Sequence, residues 1–186
     1  MKSILVVFLL ALSLGVFAQN GLNIGDKVPG FEAVADDGST WKLKDYVGEK
    51  YLVVYFYPAA MTGGCTAQAC AYRDLSSDLA SENAMVVGVS GDRVEGLKFF
   101  KKAHNLNFTL LSDETGEIAQ LFGVPTRDGG VFKSEFNGQP FELERGTTTS
   151  RWTFIIDKDG KVVYKNEQVD ARKDTGEVLS FLKNNP

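Results

Sequence analysis

The sequence predicts an α/β domain with a central mixed sheet flanked by helices. Three observations lead there. Tyr51–Tyr57 (YLVVYFY) and Ala84–Ser90 (AMVVGVS) are apolar runs dense in β-formers, the pattern of strands buried on both faces. Segments of helical periodicity fall between and after them. Late in the chain, Asp159-Gly160 marks a tight hairpin, which adds an antiparallel edge. The 186 residues, 44% hydrophobic and 24% charged, suit one domain with its own core. A formal net charge of −4 leaves no basic excess to hold a nucleic acid or an anionic membrane, so neither is expected as a partner.

Residues 1–18 read as a secretory signal peptide ahead of a domain at 19–186. Lys2 supplies the positive start, Ile4 to Val16 is nearly all apolar, and Val16-Phe17-Ala18 offers the residues a signal peptidase reads. The apolar run is shorter than the roughly 20 residues of a spanning helix. Gln19 stands where a lipidated cysteine would be needed. The mature chain is therefore expected in the periplasm or outside the cell, free of the membrane.

Gly21 to Glu49 is polar and turn-rich, with short edge strands expected around Phe31–Ala33 and Trp41–Leu43. Pro58 ends the Tyr51–Tyr57 strand. A helix from about Gly63 to Ala80 follows, because Cys65, Ala69, Tyr72, Leu75 and Leu79 line one face. After the Ala84–Ser90 strand come a helix at Arg93–Asn105, a strand at Phe108–Leu111 and a short helix at Glu117–Phe122. Pro125 to Ser150 has no clear period. Asn137-Gly138 could turn a small hairpin there, Pro140 weakens the strand after it, and a mobile loop fits equally well. Arg151–Asp157 and Lys161–Lys165 form the late hairpin. Asp174–Asn184 closes the chain as a helix with Val178, Leu179 and Leu182 inward.

The informative segment is Pro58 to Asp74, PAAMTGGCTAQACAYRD. Cys65 follows a buried strand and lies in the first turn of a helix, where unpaired backbone N–H groups favour negative charge. Acidity alone is a limited lever: taking a thiol from pKa about 8.5 to about 6 raises its thiolate fraction at pH 7 only about thirtyfold. An efficient thiol catalyst must also hold its substrate and stabilise the departing charge. Cys65 and Cys70, the only cysteines, would close a loop of about six residues, worth roughly 2 kcal/mol as a staple, so a pair that opens and closes reads better than a structural disulfide. Plainer roles exist for other residues: Thr62 as a helix cap, Arg73 in an ion pair with Asp74 or Asp78, and His104 as a packing residue.

Pro58, Thr62 and Cys65 match the P-x-x-x-T-x-x-C pattern of the peroxiredoxin family, and they follow a YFYP strand end as in that family. Cys70 and the AYRD after it resemble the bacterioferritin-comigratory, or Q-type, branch. Arg151 in SRWTFIID matches an arginine that opens a late strand in these enzymes. The resemblance covers about Gly25 to the last helix and implies a thioredoxin-like fold. It implies that Cys65 attacks a peroxide and becomes a sulfenic acid, which Cys70 resolves as an intramolecular disulfide. It further implies that Thr62 orients the peroxide, that Arg151 and the N–H groups near Gly64 stabilise charge, and that Pro58 shields the sulfur. No metal or cofactor is implied; a thioredoxin-like reductant and a monomer are. Three residues depart from the expected pattern: Gln68 where Glu is expected, Gly63 for a Pro, and bulky Trp152 beside Arg151.

Two rivals share the fold. A thioredoxin-type thiol–disulfide oxidoreductase would want C-x-x-C and a proline where Thr149-Ser150 stands. A copper-binding protein would want a histidine near the two thiols, whereas His104 is expected on another helix. The leader reading makes its own demand: N-terminal sequencing of the exported protein is expected to begin at Gln19, and a mature chain retaining Met1 would overturn it.

Overall fold

The computed structural model describes residues 21–185; the leader expected over residues 1–18 lies outside the described residues. In chain order the elements are β1 (Glu32–Ala35), β2 (Thr40–Lys42), a 3-10 turn (Leu43–Asp45), β3 (Tyr51–Phe56), α1 (Gly63–Asp74), α2 (Ser76–Ser81), β4 (Ala84–Ser90) and α3 (Val94–His104). Then follow β5 (Thr109–Ser112), α4 (Glu117–Phe122), β6 (Thr126–Phe136), β7 (Gln139–Thr149), β8 (Trp152–Ile156), β9 (Val162–Asn166) and α5 (Asp174–Asn184). Seven strands make one mixed sheet in the order β2-β1-β5-β4-β3-β8-β9. Its centre, β3-β4-β5, is parallel, and β1, β2, β8 and β9 join antiparallel.

The apolar runs sit in the centre because helices cover both faces, leaving no polar side for alternation to mark. Leu52, Val54 and Phe56 of β3 face one core with Ile118, Ala119 and Phe122 of α4. Val53, Tyr55 and the following Tyr57 face the other, with Cys65, Ala69 and Tyr72 of α1, Phe100 of α3, and Val178 and Leu182 of α5. β8 lies against β3 with Phe56 opposite Trp152 and Tyr55 opposite Thr153. That register brings Arg151 to the end of β3, where α1 begins.

The helix expected over Gly63–Ala80 is two helices, broken at Leu75 (φ −98°, ψ 15°). Asn107 lies against the break, donating to the Ser76 hydroxyl at 2.8 Å and, at 3.4 Å, to the Arg73 carbonyl. The stretch without a clear period is a long two-stranded hairpin, β6–β7, paired from Thr126↔Thr149 to Phe136↔Gln139. Asn137 (φ 51°) and Gly138 (φ 77°) both turn left-handed at its tip, as the tight primed turn requires. Pro140 sits opposite Glu135 with little penalty, since a two-stranded ribbon consists of edges. Its lack of helical or strict strand period follows from exposure on both sides along most of its length.

The hairpin is fastened at its base. Gly146 N–H donates to the Gly91 carbonyl at 2.9 Å, and Arg93 N–H to the Glu144 carbonyl at 3.1 Å. Leu143 is buried, and Phe141 packs 5.2 Å from Phe99.

Candidate active site

The chain leaves β3 through Tyr57 and half-buried Pro58 and crosses to α1 in a tight loop. Met61 is left-handed (φ 63°), a conformation that needs support from its surroundings. Support comes from Asp92, fully buried at the end of β4, whose Oδ2 accepts the Ala60 N–H at 2.7 Å and the Ser90 hydroxyl at 2.8 Å. Its Oδ1 accepts Nε of Arg145, from the base of the hairpin, at 3.1 Å. A buried carboxylate with a cation and several donors is satisfied, and here it clamps the loop to the hairpin.

Thr62 stands at the N-cap of α1 in extended conformation, yet its hydroxyl does not cap the helix. It donates back to the Ala59 carbonyl at 2.9 Å. The capping role open to it in the sequence is not taken, and its oxygen lone pairs remain available as acceptors. The first intrahelical bond runs from Thr66 N–H to Thr62 C=O at 2.8 Å. The N–H groups of Gly63, Gly64 and Cys65 precede it and present the positive end of the helix.

Cys65 is 1% exposed, and its Sγ accepts a hydrogen bond from Arg151 Nη2 at 3.2 Å. The guanidinium lies over Gly64: a Cβ there would sit 3.5 Å from Nη2. A planar, permanently charged donor in van der Waals contact with the loop and on the sulfur can stabilise a thiolate, and can also donate to an oxygen arriving beside it. Tyr55, Tyr57 and Tyr72 wall the inner side, with Tyr55 stacked 5.4 Å from Tyr57 and 4.8 Å from Tyr72. Burial pushes all three phenols well above their usual range, so they stay neutral.

The other guanidinium arm, Nη1, donates to Gln68 Oε1 at 2.5 Å. Gln68 Nε2 donates to Asp174 Oδ2 at 2.6 Å, and the same oxygen accepts the Tyr72 hydroxyl at 2.7 Å and the Thr153 hydroxyl at 3.0 Å. Burial raises the Asp174 carboxyl above its usual range, with these three donors opposing it.

The remaining sequence candidates divide. Cys70 is half-buried on the same helix, and both thiols are free. Arg73 pairs with Asp74 at 2.7 Å rather than with Asp78, and also donates to the His104 carbonyl at 2.5 Å. The His104 ring packs 5.4 Å from both Phe100 and Phe136, a packing role. Among the described residues no cluster of three His, Cys, Asp or Glu side chains could hold a metal ion. Trp152 does not crowd the thiol: its ring belongs to the opposite face of the sheet, 6.1 Å from Phe154. The sequence alone does not mark Asp92 or Asp174. An acid after a strand and an acid opening a helix are commonplace locally, and only the fold shows what they hold.

Fold and site together define a thioredoxin-like protein with one buried, arginine-bound thiol at a helix N-terminus. The chain belongs to the AhpC/TSA family, which it matches over residues 24–165, and its likeness is to the bacterioferritin-comigratory or Q-type peroxiredoxins. It is 39% identical to Peroxiredoxin Bcp of Bacillus subtilis (strain 168) over 162 residues, 87% of this chain and 96% of that one. With Peroxiredoxin Bcp of Escherichia coli (strain K12) it shares 37% identity over 165 residues, 89% and 98% of the two chains. The crystal structure of Peroxidoxin BcpB from Mycobacterium tuberculosis superposes with a TM-score of 0.74 at 31% identity, covering 89% of this chain and 99% of that one.

If the Arg151 contact activates the Cys65 sulfur, Arg151→Met should slow alkylation of Cys65 by iodoacetamide at pH 7 about tenfold, read by intact mass in a Cys70→Ser background. An unchanged rate would show that the contact does not activate the thiol.

Proposed function

We propose that the protein is a thiol-dependent peroxidase that reduces hydrogen peroxide and organic hydroperoxides through Cys65. The observation that carries this reading is the 3.2 Å contact between Arg151 Nη2 and a Cys65 sulfur buried at the N-terminus of α1. The Cys65 thiolate attacks the nearer peroxide oxygen. An S–O bond forms, the O–O bond breaks, and the leaving oxygen departs as an anion that takes a proton to become water or an alcohol. Thr62 accepts a hydrogen bond from the peroxide hydroxyl, its own proton being committed to Ala59. Arg151 and the N–H groups of Gly64 and Cys65 stabilise the developing oxyanion. Half-buried Pro58 screens the sulfur from bulk water. At 1% exposure Cys65 presents almost no surface to a protein disulfide, which disfavours the thiol–disulfide oxidoreductase alternative.

Cys70 then resolves the sulfenic acid: its sulfur displaces hydroxide, the disulfide forms, and water leaves. Five helical steps hold the two Cα atoms roughly 8.6 Å apart, beyond the limit of about 7 Å for a disulfide. The start of α1 therefore unwinds to let the bond close. A thioredoxin-like dithiol restores the pair, and the enzyme works as a monomer. Residues 1–18 export it, a reading supported by the positive start at Lys2 and the apolar run from Ile4 to Val16.

Reduced protein mixed with one equivalent of hydrogen peroxide, followed by the fluorescence of Trp41 and Trp152, should oxidise orders of magnitude faster than free cysteine and lose two hydrogens in mass. Cys65→Ser should abolish the reaction, and Cys70→Ser should stop at the sulfenic acid. A rate no faster than free cysteine would overturn the peroxidase reading. Amide hydrogen exchange across Cys65 to Cys70 should be markedly faster in the oxidised form. Equal rates in both forms would refute the unwinding.

A further inference from the structure

We propose that Asp174 is a positioning residue for the active site, acting through Gln68 as a matched pair that fixes how Arg151 meets Cys65. The inference rests on the peroxidase reading for its rate but not for its geometry. Gln68 is fully buried between two groups of opposite hydrogen-bonding character. On one side Arg151 only donates; on the other Asp174, as a carboxylate, only accepts. A side-chain amide has one accepting and one donating end, so just one orientation satisfies both neighbours. Oε1 faces Arg151 and Nε2 faces Asp174, as observed.

Asp174 is held hard enough to impose this. It is fully buried at the first position of α5, and its Oδ2 is pinned by the Tyr72 and Thr153 hydroxyls as well as by Gln68. Thr153 lies two residues beyond Arg151 in the chain, so one oxygen ties together the helix that carries Cys65 and the strand that follows Arg151. The arrangement also accounts for the departure at position 68. A glutamate there would set a second buried carboxylate against Asp174, in hydrogen-bond contact and without a cation between them. With Asp174 supplying the carboxylate, the residue that reaches Arg151 must be the neutral amide.

The test is a relocation of the carboxylate. Asp174→Asn alone replaces the charged acceptor of Gln68 Nε2 by a neutral amide, a weaker hold that leaves Gln68 less firmly set against Arg151; the peroxide rate constant of the reduced protein is expected to fall about tenfold. Adding Gln68→Glu restores an unambiguous order. The carboxylate introduced at position 68 accepts from Arg151 on one side and from the amide introduced at position 174 on the other. This double variant should recover to within about threefold of the parent. A role confined to folding would lower the melting temperature of both variants and give no rescue. Iodoacetamide alkylation of Cys65 in a Cys70→Ser background gives the same comparison without peroxide. It separates a failure of this pairing from a failure of the peroxidase assignment. A rate for Asp174→Asn within twofold of the parent, or a double variant no faster than Asp174→Asn, would overturn the proposal. If Asp174→Asn does not fold, Gln68→Met in the native background reads the same contact: it should slow both reactions about tenfold, and an unchanged rate overturns the proposal equally.

Discussion

The site depends on a single guanidinium reaching across the sheet. Arg151 and Cys65 are 86 residues apart in sequence, and nothing local brings them together. They meet because β8 returns antiparallel beside β3, in the register that sets Trp152 opposite Phe56. Side chains alternate across a strand, so a slip of one residue would turn Arg151 to the other face of the sheet. The apolar residues of β3 and β8 bury the centre of the domain, and Thr153, the polar residue of β8 that donates to Asp174 at 3.0 Å, marks the register on which the thiol's surroundings rest.

Placing charge in that interior is unfavourable, and the molecule limits the penalty by hydrogen bonds to the groups involved, while Asp174 Oδ1 and Arg145 Nη2 stay buried without a partner. Arg151 divides its donors between a sulfur and an amide oxygen. Asp174 collects three donors on one oxygen. Asp92 has a cation and two donors. These are buried polar arrangements of the kind that specify one packing over its near alternatives, because each member is fitted to the next. Three tyrosines surround them, kept neutral by the same burial.

Much of this was legible in the sequence. The buried strands, the closing helix and the late Asp159-Gly160 hairpin follow from apolar runs and turn chemistry, which are local signals. Cys65, Thr62 and Arg151 were marked by a family pattern, and the fold brings all three to one end of β3. What stayed hidden was long-range. The break at Leu75 falls where Asn107, more than thirty residues on, meets Ser76 and the Arg73 carbonyl. The length of the β6–β7 ribbon leaves no signal in the sequence because most of it is exposed, so no core imposes a period on its side chains. Asp174 looked like any acid in the first turn of a helix, and Gln68 looked like a lost glutamate. Each makes sense only once the other is in place.

The hairpin has a consequence for how freely the chain can vary. Seen from outside, β6–β7 is an appendage, paired mainly with itself and exposed over much of its length. Its base is nonetheless interior: Arg145 reaches from it to the carboxylate that also holds Ala60 of the loop leading to Thr62 and Cys65. Deleting the ribbon would strand a buried negative charge beneath that loop, a far larger disturbance than shortening a surface turn. Insertions and substitutions should therefore be tolerated at the tip around Asn137-Gly138 and become progressively less so toward Arg145, a gradient of mutability along one element set by its distance from a single buried carboxylate.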